Sequence, residues 1–98
     1  MHARFRPEAR LDALEAQAWY ETQSPGLGLE FARALDVAVE SALRMPLAFR
    51  EIEGSCRRTF MRRFPYSVIY RPESNGILVF AVFHHRRDPS NWSNRVGG

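Results

Sequence analysis

The residues with most scope for chemistry lie in the second half of the chain. They are the run His84-His85-Arg86-Arg87-Asp88, the alternation Arg58, Phe60, Arg62, and the isolated Ser67 and Trp92. Adjacent histidines invite a metal reading, but neighbouring residues on a strand point to opposite faces, and no third ligand stands at a metal spacing. No metal or cofactor is expected. A Ser/His/Asp set can be written from Ser67, His84 and Asp88, yet no serine sits in a nucleophile-elbow motif. Metal-free RNA cleavage is the more substantial option. It needs a base for the ribose 2′-hydroxyl, cations for the charge developing on phosphorus, and an acid for the leaving oxygen. Arginine meets only the second need, so His85, or His84 if the register differs, would move protons while Arg58, Arg62 and Arg87 surround the phosphate. The competing reading packs His84 at a strand end, leaves His85 in solvent, and uses Trp92 to staple the tail onto the core. Phe60 between two arginines reads as a partner-binding patch.

The elements that must position these residues change character near residue 49. Before it, the apolar period is about 3.6. Pro7 suits the first turn of a helix starting near Glu8, with Leu11, Leu14 and Ala18 as its apolar stripe. Ser24-Pro25-Gly26-Leu27-Gly28 then punctuates the chain. A second stripe follows in Leu27, Phe31, Leu35, Ala38 and Ala42, and Pro46 ends it. Two helices joined by a short turn predict an antiparallel hairpin.

After residue 49 the period falls to two, and three strands are expected, over Arg57 to Arg62, Tyr66 to Arg71 and Ile77 to His84. Asn75-Gly76 is a hairpin signal between the last two. The third strand is apolar throughout Ile77 to Phe83, as a central strand covered on both faces must be. The fold class is therefore α+β, an N-terminal helical hairpin on one face of a small curved antiparallel sheet. On strand parity the other face carries Arg58, Phe60, Arg62, Ser67, Ile69, His85 and Arg87. The segment from Asp88 onward reads as a polar tail with Gly97-Gly98 frayed.

Length and composition fit one domain spanning residues 1–98, with 45% hydrophobic and 26% charged residues. The longest apolar run has seven residues, Ile77 to Phe83, where a bilayer helix needs about twenty, so no membrane association and a cytoplasmic location are expected. The single cysteine, Cys56, excludes an intramolecular disulfide. The net charge of +3 conceals a split. Residues 1–53 carry six arginines against nine acids, whereas residues 54–98 carry eight arginines against two. All fourteen basic residues are arginine, which favours bidentate grip on phosphate or carboxylate and stacking on flat rings. The eight arginines of residues 54–98, interleaved with Phe60, Phe64, Tyr66 and Trp92, have the electrostatic footprint of a polyanion binder.

Three segments carry a resemblance. Trp19-Tyr20-Glu21 with Ser24-Pro25-Gly26-Leu27-Gly28, then Arg63-Phe64-Pro65-Tyr66-Ser67-Val68-Ile69-Tyr70, and finally Ala81-Val82-Phe83-His84-His85-Arg86-Arg87-Asp88-Pro89 with Trp92 and Arg95, resemble the RelE/ParE toxins of bacterial type II toxin–antitoxin systems. The likeness spans nearly the whole chain. It implies a helical hairpin on a curved antiparallel sheet and a cognate antitoxin whose extended C-terminal segment wraps the toxin. It also implies one of two targets, since RelE-like members cut messenger RNA on the ribosome and ParE-like members poison DNA gyrase without being nucleases.

Residue by residue, Arg58 and Arg87 match functional basic positions of the RelE-like members. Phe60 stands at a catalytic lysine position, Ser67 at the catalytic arginine position, and Ser93 near the C-terminal tyrosine. Groups that act as a unit fail together. The Phe-Pro-Tyr turn and the C-terminal ending are more ParE-like. The resemblance therefore implies a non-enzymatic toxin that contacts gyrase through Arg58, Phe60, Arg62, Arg87 and Trp92. The alternatives are a ribosome-dependent endoribonuclease using Arg58, His85 and Arg87, or an inactive relative that only binds its antitoxin.

Overall fold

The computed structural model describes residues 1–87 and 90–96. Eight elements follow in the order β1 (His2–Phe5), α1 (Pro7–Gln23), α2 (Leu27–Arg44), β2 (Arg50–Glu53), β3 (Cys56–Phe60), β4 (Tyr66–Glu73), β5 (Gly76–His84) and α3 (Ser90–Val96). Pro7 opens α1 where its missing N–H costs nothing, and Glu8 places a carboxylate in the first turn. The turn into α2 is built around Glu21. Its carboxylate accepts the backbone N–H of Gly26 at 3.0 Å and of Gly28 at 3.0 Å, satisfying donors that a helix start leaves open. Gly28 must be glycine for a second reason, because a Cβ there would stand 2.7 Å from the Gln17 carbonyl oxygen of α1. The Trp-Tyr-Glu and Ser-Pro-Gly-Leu-Gly motifs are thus two halves of one helical corner.

The sheet runs β1-β5-β4-β3-β2. The β3–β4 and β4–β5 pairs are antiparallel as expected, the β4–β5 turn being Ser74-Asn75, with Gly76 of the expected Asn75-Gly76 signal already paired to Glu73 as the first residue of β5. Two strands extend the three expected ones. Residues 50–53 form the antiparallel edge strand β2, and the N-terminal segment forms β1, paired in parallel with β5 from His2↔Gly76 to Phe5↔Val79. Neither is legible from periodicity, since each spans only four residues.

The helices cover one sheet face. Phe31, Leu35, Ala38 and Ala42 of α2 pack with Val68, Tyr70, Ile77, Val79 and Val82. From α1, however, the buried residues are Ala9 and Ala16, flanked by Ala13 and Tyr20. The expected stripe of Leu11, Leu14 and Ala18 faces solvent, with Leu11 and Leu14 more than half exposed. The small alanines, not the leucines, make the α1 contribution to the interior. The opposite sheet face is not left bare. Ile69, Phe80, Ala81 and Phe83 form a second core with Cys56 and with Trp92 and Val96 of α3, so the expected polar tail is in part a short helical cover.

A buried ion pair ties that cover to α1. Beyond residue 79, β5 has no β1 partner, and Asp12 Oδ2 accepts the Val82 N–H at 3.1 Å. The same oxygen accepts Arg95 Nη1 at 2.7 Å, and Arg95 Nη1 also donates to the Phe80 carbonyl at 3.1 Å. Asp12 and Arg95 therefore clasp β5 from its two sides. Asp88, Pro89, Gly97 and Gly98 lie outside the described residues, and with them the Asp88 of the Ser/His/Asp reading and the frayed end.

Candidate functional site

Strand parity holds where it matters most. Thr59 and Met61 point into the helix-side core, while Phe60 points away from it and is 58% exposed. Arg58 lays its guanidinium over the Phe60 ring, 4.8 Å from the centroid, and His85 meets the same ring edge-on at 5.3 Å. His85 Nε2 lies 2.9 Å from Ser67 Oγ. Arginine, phenyl and imidazole thus form one cationic and aromatic platform on β3, β4 and the end of β5. Ser67 and Ile69, expected on an open face, are fully or almost fully buried, which makes Ser67 an orienter of His85 rather than a nucleophile.

The remaining predicted residues disperse. Arg62 falls beyond β3, in the turn that returns at Tyr66, and is exposed. Its neighbour Arg63 holds a left-handed backbone conformation, φ 72°, and pairs with Glu30 of α2 at 2.6 Å. Trp92, expected to contact a target, is only 7% exposed and meets Phe83 at 6.2 Å, so it staples α3 to the sheet. Arg87 does not stand with Arg58 and His85 around Phe60. It lines a separate hollow with His84, because the chain turns as it leaves β5 and the Arg87 N–H donates back to the His84 carbonyl at 3.0 Å.

That hollow, about 560 Å³, lies between the end of α1 and the end of β5, walled by Trp19, Tyr20, Tyr66, His84, Arg86 and Arg87. The Arg86 backbone N–H donates to His84 Nδ1 at 3.0 Å, which leaves the ring proton on Nε2. Burial, and then the charges of Arg86, His85 and Arg87, hold the His84 pKa below its ordinary value. Burial likewise pushes the Tyr66 phenol up, so both groups are neutral near pH 7. Sequence reasoning missed this hollow because Trp19 and Tyr20 come from α1, more than sixty residues away in the chain.

A groove of about 830 Å³ runs on the other side of Phe60, between α2 and β3. Ala34, Val37, Phe49 and Phe60 line its apolar part, and Arg33, Arg62 and the Arg63–Glu30 ion pair its charged part. Pairing with β2 extends only as far as Arg50↔Arg58. Among the described residues no group of three His, Cys, Asp or Glu is placed to hold a metal ion. No helix among them is long and apolar enough to cross a membrane.

A similar fold occurs in a solved structure described as the chromosomal ParDE toxin–antitoxin system from P. aeruginosa. It superposes with a TM-score of 0.73 over 86% of this chain and 95% of that one, at 17% identity. No curated protein sequence matches. The family model for the ParE toxin of the type II parDE toxin–antitoxin system matches residues 3–89, which include α1, α2, β2 to β5, all of β1 but His2, and the platform. The chain belongs to the ParE family of type II toxin–antitoxin toxins.

Proposed function

We propose that this toxin arrests growth by binding DNA gyrase through the platform of Arg58 and Phe60, with Arg62 at its edge, and that a cognate antitoxin neutralises it. The observation that carries the reading is the exposed Phe60 ring, capped by Arg58 and braced by His85. An exposed aromatic held between a guanidinium and an imidazole ring is the composition of an interface anchor, where aromatic and arginine side chains supply most of the binding energy. Arg87 and Trp92 drop out of this surface, the first because it lines the hollow beside His84 and the second because it is buried.

The groove between α2 and β3 is the natural seat for the antitoxin's extended segment. It offers an apolar floor, arginines that suit an acidic chain, and a length of β3 to which a strand can be added. Because Phe60 belongs to both groove and platform, an antitoxin seated there excludes the target directly.

The test is a supercoiling assay with purified toxin and gyrase. Wild-type toxin is expected to block supercoiling or trap cleaved DNA, and Phe60→Ala to weaken this at least tenfold while its melting temperature stays unchanged. Undiminished supercoiling at saturating folded toxin would count against the gyrase reading. Codon-positioned cuts in translated messages, lost in a His85→Ala variant, would move the assignment to a ribosome-dependent nuclease.

A further inference from the structure

The hollow beside the C-terminal end of α1 has a ligand chemistry of its own, independent of the platform. Its volume, about 560 Å³, lies in the range of small-ligand pockets. One wall is aromatic: Trp19 meets Tyr20 edge-on at 5.0 Å and stays 56% exposed, so an indole face is open to a flat partner. The other end is cationic. Arg86 and Arg87 are both exposed there, and among the described residues no carboxylate lines the hollow. Between them stands His84, set by Tyr66 at 4.9 Å and fixed by the Arg86 N–H on Nδ1, so that Nε2 presents one N–H donor.

Each feature selects one part of a ligand. The indole and phenol faces stack on a planar ring without demanding its sequence identity. The guanidinium groups of Arg86 and Arg87 suit a phosphate. The fixed imidazole N–H asks for a ring nitrogen or carbonyl acceptor, which every nucleobase has. We propose that this hollow binds a nucleoside 5′-phosphate unit, either as a free nucleotide or as the end of a single strand. The base lies against Trp19, the phosphate against Arg86 and Arg87, and His84 donates to the base. The site makes no bond and breaks none, and its occupancy does not depend on what the Phe60 platform contacts.

The test titrates adenosine 5′-monophosphate into the full-length toxin, followed by calorimetry and by quenching of tryptophan emission, which reports Trp19 because Trp92 is buried. Saturable binding is expected, at least tenfold weaker for adenosine and at least tenfold weaker still for inorganic phosphate. Trp19→Ala and Arg87→Gln, both exposed and therefore neutral for folding by circular dichroism, are each expected to weaken it at least fivefold. Phe60→Ala is expected to leave it unchanged. A 5′-phosphorylated oligoadenylate that binds more than tenfold tighter than the mononucleotide identifies a strand end as the source, and equal binding identifies the free nucleotide. Absence of saturable binding by both, or binding indifferent to Trp19→Ala and Arg87→Gln, overturns the proposal. So does a phosphotyrosine peptide that binds more tightly than either nucleotide probe.

Discussion

Removing the Asp12 carboxylate is expected to destabilise the protein more than any other single surface-proximal change. Its two oxygens accept Arg95 Nη1 at 2.7 Å, Arg95 Nη2 at 3.3 Å and the Val82 N–H at 3.1 Å, and the two side chains are only 10% and 20% exposed. Asp12→Ala loses a charge-assisted, two-pronged contact, about 1.5–3 kcal/mol, and leaves the Val82 N–H without a partner, about 1–3 kcal/mol more. The residual exposure of Arg95 lets water recover part of this, so about 3 kcal/mol is the net expectation, near the lower limit for a broken buried pair. Asp12→Asn keeps an acceptor for Val82 and loses only the charge, about 1.5 kcal/mol. In a domain of this size 3 kcal/mol lowers the melting temperature by roughly 15 °C. Urea unfolding of wild type, both Asp12 variants, Arg95→Gln and the Asp12→Asn, Arg95→Gln double variant measures the coupling. A coupling energy indistinguishable from zero, or an Asp12→Ala cost under about 0.5 kcal/mol, would refute the clasp between α1 and α3.

Three further outcomes follow from the packing. Leu14→Ala is expected to change stability by less than about 0.5 kcal/mol, because Leu14 faces solvent. A cost above about 2 kcal/mol in the same urea series would restore it to the core. Gly28→Ala must push the Gln17 carbonyl away from a Cβ at 2.7 Å, which is expected to cost about 2 kcal/mol and to appear as a lowered denaturant midpoint; an unchanged midpoint would mean the two helices are not in contact there. His84 titrates below its ordinary value of 6.5 in the folded protein, so the unfolded chain binds more protons as the solution is acidified. Stability is then complete above about pH 6.5 and is lost as pH falls toward the lower folded value. Compared with His84→Asn, wild type should lose stability more steeply between pH 7 and pH 5, and a shallower loss would contradict the neutral His84.

The parts of this fold that the sequence discloses are those with long, single-period patterns. The α2 stripe from Leu27 to Ala42 and the unbroken Ile77 to Phe83 run each have one physical explanation, and the structure uses both as expected. Alternation along residues 57–62 likewise places Phe60 outside and Met61 inside. The α1 stripe failed because leucine outranks alanine in hydrophobicity, yet the face of α1 turned to the core is the one carrying Ala9, Ala13 and Ala16. Ala3 to Arg6 reads in sequence only as a short extended lead-in to Pro7, and its place as β1 comes from pairing with β5, a contact invisible in local sequence. The cover formed by α3 depends on Asp12 and Arg95, whose 83-residue separation no periodicity reports. The candidate site divides the same way. Arg58, Phe60 and His85 were adjacent by strand parity, while the Trp19–Arg87 hollow needed the tertiary fold.

The central claim is that the target meets the sheet at Phe60 and not at the outer face of α1. Calorimetric titration of purified gyrase with wild type, Phe60→Asp and Leu14→Asp tests it most directly. The account predicts that Leu14→Asp binds as wild type does and that Phe60→Asp loses at least a hundredfold in affinity, about 2.7 kcal/mol, without unfolding. Equal affinity of Phe60→Asp and wild type would contradict it.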